Sequence, residues 1–63
     1  MRLTEFWSRM EQRFGSGYAA SVAADYRLPM LGATINEAMA AGVEAKEIWR
    51  AVCDEFEMPA SLR

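Results

Sequence analysis

The chain has 63 residues, 52% hydrophobic and 25% charged, with a net charge of -2. This balance belongs to a folded chain, and the length allows a single domain. With no histidine and one cysteine, it cannot build Ser-His-Asp or Cys-His catalytic sets, internal disulfides or CxxC zinc sites.

Size makes the expected core tight. Surface scaling predicts about 4,100 Å² exposed when folded, against about 10,300 Å² unfolded. Stability then needs efficient packing or help from a partner. Two tryptophans, three phenylalanines, two tyrosines and five methionines favour efficient packing. Met1-Arg2-Leu3-Thr4-Glu5 lacks the uncharged run of a signal peptide, and no apolar stretch approaches the ~18 residues of a membrane span. The free Cys53 suits a reducing compartment, so the cytoplasm is the expected location.

The glycines divide the chain into helical pieces, and no segment alternates with period two for long enough to suggest a sheet. A first helix is predicted from about Thr4 to Phe14, with Thr4 as N-cap and Gly15 as its stop. Leu3, Phe6, Trp7, Met10 and Phe14 fall on one side of it and form a core face. A second helix starts at Ser16 or Gly17 and carries Tyr18, Ala19, Val22, Ala23 and Tyr26 on one side. Pro29 disfavours helix at Leu28, which ends this piece near Tyr26 or Arg27. Leu28, Met30 and Leu31 then form an apolar connector.

Thr34-Ile35-Asn36-Glu37 has the capping-box pattern, and the helix it opens is stopped within two turns by Gly42. A fourth helix runs from about Ala45 to Glu57, capped by Glu44 and stopped by Pro59. Ala45, Ile48, Trp49, Val52, Cys53 and Phe56 form its apolar arc. Residues 60–63 are expected to fray.

Ala38, Gly42, Val43 and Ile48 have the spacing of a helix-turn-helix corner, with a small residue at the crossing and glycine in the turn. Any tight corner in a small bundle needs the same residues. Charge argues against DNA as its target. Lys46 and Arg50 share the last helix and its flanks with Glu44, Glu47, Asp54, Glu55 and Glu57, which would repel phosphate.

Positive charge gathers on the first helix, where Arg2, Arg9 and Arg13 align beside the Phe6/Met10 stripe. This edge could meet an acidic protein surface or phosphate. A solvated edge, whose stems cover the core rim, is the simpler reading and the preferred one. Trp7 and Trp49 each sit on an apolar arc; both are expected in the core, with a half-exposed interface tryptophan as the alternative. Cys53 reads as a small buried hydrophobe rather than a nucleophile. Asp54 and Glu55 point to solvent, and no pocket is evident that would shift them toward catalysis.

Three stretches carry a family resemblance: Met1 to Trp7, Tyr18-Ala19 with Ser21-Val22-Ala23, and Ala40-Ala41-Gly42-Val43. A fourth, Lys46-Glu47-Ile48-Trp49-Arg50-Ala51-Val52-Cys53, is its most specific part. Together they resemble a family of short actinobacterial proteins of unknown function, over essentially the whole chain. Members usually show Asp-Pro where this chain has Glu44-Ala45, and its absence removes a favoured helix start. The family's genes often lie near those for RecA and its regulator RecX, which implies a setting in recombination and repair. It defines no catalytic or binding residues that could be carried over.

These features predict an all-α fold: one domain over residues 1–63, a compact bundle of four short helices, the last two forming a helix-turn-helix-like corner. The expected function is a non-enzymatic protein-interaction or regulatory module, without metal or cofactor, in a recombination or repair setting. Its candidate surface comprises Arg2, Arg9, Arg13, Trp7, Trp49 and Arg50. The alternatives are a weak nucleic-acid binder through the Arg2/Arg9/Arg13 edge and a structural homodimer.

Overall fold

The computed structural model describes all of residues 1–63. Helix α1 spans Leu3–Phe14, α2 Ser16–Asp25, α3 Ile35–Ala40 and α4 Ala45–Phe56. Two short strands, β1 (Arg27–Leu28) and β2 (Ala33–Thr34), lie between α2 and α3, and a 3-10 turn covers Ala60–Leu62. The exposed surface is 3945 Å², close to the size expectation. No helix is long and apolar enough to cross a membrane.

Helix α1 is capped two residues earlier than the sequence suggests. Arg2 is its N-cap residue, extended at φ -84° and ψ 153°. Thr4 therefore lies inside the first turn and does not cap it. Phe6 and Met10, spaced i,i+4, are completely buried, while Trp7 and Phe14 pack partly buried against the core. Leu3, predicted to join them, is 56% exposed. Gly15 ends the helix at φ 86° and ψ 153°, a conformation essentially open to glycine alone. Its N–H donates to the Glu11 carbonyl and its own carbonyl accepts from Ala19 N–H, each at 2.8 Å. One residue thus closes α1 and opens α2.

Helix α2 buries Ala19, Val22 and Ala23, whereas Tyr18 and Tyr26 stay exposed. The connector after it is not featureless, and the fold is not purely all-α. Strands β1 and β2 pair antiparallel, Arg27 opposite Thr34 and Leu28 opposite Ala33. Leu28 and Thr34 are buried, and Gly32 N–H donates to the Leu28 carbonyl at 2.8 Å to close the turn. Strands of two residues give no readable period, which is why the sequence pattern does not show them.

The capping box forms as the pattern predicts. Thr34 Oγ1 accepts from Glu37 N–H at 3.1 Å, and Glu37 Oε1 accepts from Thr34 N–H at 2.9 Å. At the other end of α3, Val43 N–H donates to the Ala38 carbonyl at 3.0 Å and Gly42 N–H to the Met39 carbonyl at 3.1 Å. With Gly42 at φ 86°, this is a Schellman closure, and Ala38 and Ile48 are buried where the corner needs them.

Helix α4 buries Ile48, Trp49, Ala51, Val52 and Cys53. Phe6 joins it to α1, with its ring edge-on to Trp49 at 5.7 Å and to Trp7 at 5.1 Å. Glu44 holds the N-cap position of α4 without a side-chain hydrogen bond, and Glu57 ends the helix in the left-handed region at φ 50°. The tail folds back on the core through the 3-10 turn of Ala60–Leu62. Met58 is buried, Leu62 packs on the core, and the Trp49 indole N–H donates to the Leu62 carbonyl at 2.9 Å.

Candidate functional site

One face of α4 meets α1 across a cleft of about 390 Å³. Lys46, Trp49, Arg50, Cys53 and Asp54 line it from α4, spaced i, i+3, i+4, i+7 and i+8, which a helix places on a single face. From the other side come Met1, Glu5 and Arg9, and the folded-back tail adds Arg63. Four basic side chains thus converge from three separate segments, against the two acidic side chains of Glu5 and Asp54.

Arg9 is partly used within the chain. It pairs with Glu5 at 3.8 Å and donates to the Arg63 carbonyl at 3.5 Å. Arg63 Nε donates to the Met58 carbonyl at 3.3 Å, which fixes the guanidinium at the cleft wall. Lys46 and Arg50 are exposed, and neither makes an ion pair or hydrogen bond within the chain. As like charges at i,i+4 they cost α4 a few tenths of a kcal/mol, about 0.2–0.5. An anion held between them would turn that repulsion into attraction.

Trp49 and Cys53 form the apolar floor. Both are buried, and burial raises the Cys53 thiol above its ordinary pKa. The thiolate needed for nucleophilic attack is therefore disfavoured. Asp54, read from sequence as pointing to solvent, is exposed at the cleft rim, while Glu55 accepts a hydrogen bond from the Tyr26 hydroxyl away from it. No three His, Cys, Asp or Glu side chains gather as metal ligands.

Of the residues singled out in the sequence, the cleft unites Arg9, Trp49 and Arg50. The other three lie elsewhere. Arg13 donates to the Phe56 carbonyl at 3.5 Å and covers the Phe14 ring at 4.9 Å. Trp7 packs beside Phe6, and Arg2 does not line the cleft. The proposed Arg2/Arg9/Arg13 edge is therefore divided between the cleft and the core rim. Lys46, Asp54 and Glu5 were within reach of helical spacing, since 46, 50 and 54 repeat every four residues and Glu5 lies four before Arg9. Arg63 carried no such signal, because its place depends on how the tail folds back.

Residues 1–61 match the model of a family described as protein of unknown function (DUF3046). The chain belongs to that family. Nothing among curated proteins or solved structures matches it.

Proposed function

We propose that this chain is a non-enzymatic interaction module that binds an acidic segment of another protein in the α1/α4 cleft. The convergence of Arg9, Lys46, Arg50 and Arg63 over the Trp49 floor carries this reading. The chain as a whole has a net charge of -2, so a cleft with twice as many cations as carboxylates is a local reversal of sign. Such a field favours a ligand small enough to lie within it. Duplex DNA fits less well, since a long polyanion would also run across the acidic remainder of the surface. The resemblance to short actinobacterial proteins encoded near RecA and RecX directs the search for the partner to recombination and repair in the cytoplasm.

Titration of the labelled chain with a polyglutamate peptide, and in parallel with duplex and single-stranded DNA, tests the reading at low salt. The peptide is expected to bind, and Lys46→Gln combined with Arg50→Gln is expected to weaken binding about tenfold or more while the helical circular dichroism stays unchanged. Tighter binding of DNA than of the peptide would overturn the assignment and bring a nucleic-acid role forward.

A further inference from the structure

The basic cleft does not end at Lys46. A second groove, of about 380 Å³, runs on from it and shares both Met1 and Lys46 with it. Its walls are largely apolar: Leu3 from α1, Met39 from α3, Val43 from the corner and Ala45 from the start of α4. Leu3 and Met1 are 56% and 40% exposed, although Leu3 sits on the stripe that the helix period assigns to the core. Methionine side chains on such a surface adapt to varied apolar shapes. Where the two compartments join, the first turn of α4 has no side-chain cap. Its N–H groups and the Lys46 ammonium both favour negative charge at that point. Glu44, the one carboxylate of the second groove, lies at the same turn.

We infer that the partner segment carries large apolar residues directly beside its acidic ones and lies across both compartments. Its carboxylates pair with Lys46 and Arg50, and its apolar side chains enter the groove walled by Leu3, Met39 and Val43. This rests on the reading that the cleft takes an acidic protein segment, and it adds the second half of the recognition code. Charge alone would bring many acidic segments to the cleft; the adjoining apolar wall selects among them.

Two synthetic peptides of equal length and equal negative charge distinguish the claims. One alternates glutamate with serine, and in the other leucine and phenylalanine replace the serines. Both are titrated by fluorescence anisotropy against the full chain, its Leu3→Ser variant and its Arg50→Gln variant. The apolar-acidic peptide is expected to bind at least about tenfold more tightly than the serine peptide, a gain of about 1.4 kcal/mol. Leu3→Ser should remove most of that advantage and leave the serine peptide unaffected. Leu3 is exposed, so circular dichroism should show the variant folded. Arg50→Gln should weaken both peptides alike. Equal affinity of the two peptides for the unaltered chain would overturn the extended groove and leave the acidic-segment reading standing. Binding of the apolar-acidic peptide that Arg50→Gln does not weaken would overturn the basic cleft itself.

Discussion

Glu37 is exposed, yet its carboxyl is held below the usual carboxylate range, first by the Thr34 backbone N–H and then by the neighbouring Arg27 charge. Arg27 approaches it at 3.5 Å and also donates to the Gly32 carbonyl at 2.8 Å, so one arginine links the hairpin turn to the start of α3. The sign of the pH effect follows from the direction of the shift. The native carboxyl is more acidic than the unfolded one, so its stabilisation is present above the ordinary carboxylate range. It is lost as the pH falls through the native value. Glu37→Gln keeps an acceptor for Thr34 N–H but removes the titration; urea melts across the acid range should show a flatter loss of stability than in the unaltered chain. Thr34→Ala removes the reciprocal bond and should cost about 1 kcal/mol at neutral pH in the same assay.

At the level of elements, the corner between α3 and α4 depends on one backbone conformation. Gly42 has φ 86°, and a Cβ placed there would meet no atom within 4 Å. Gly42→Ala should therefore act through backbone strain alone, lowering the unfolding free energy by about 1–2 kcal/mol. A loss well below that, measured by chemical denaturation, would mean that the corner relaxes at little cost. Elements announced by local chemistry could be read from the sequence: the Thr34/Glu37 box, the Gly42 stop, the break ahead of Pro29 and the buried arcs of α1 and α4. Elements too short to show a period, or held by distant contacts, could not. The β1/β2 pair rests on a two-residue register, and the tail is ordered by an indole thirteen residues earlier. Arg2 took the capping position from Thr4 although its side chain offers no cap bond, so the start of α1 is not set by cap chemistry.

For the whole molecule, the decisive quantity is how charge is shared out. The cleft holds four of the seven basic side chains and two of the nine acidic ones, leaving three basic against seven acidic elsewhere. Duplex DNA could find at most about four phosphate contacts in the cleft, for a slope of log K against log salt no steeper than about -4. Anisotropy titrations should show no duplex binding near physiological salt; retention there would contradict this charge map. Sequence spacing could supply the α4 half of the cleft, but not the partners that α1 and the tail bring to it. One contact has a wider reach. The Trp49 indole proton is bound to the Leu62 carbonyl, so it can pass to solvent deuterium only when the last turn lifts away. Its exchange lifetime is a clock for the opening of the cleft wall. An occupant that clamps Arg63 would slow that clock while leaving the amide protons of the helices ticking as before.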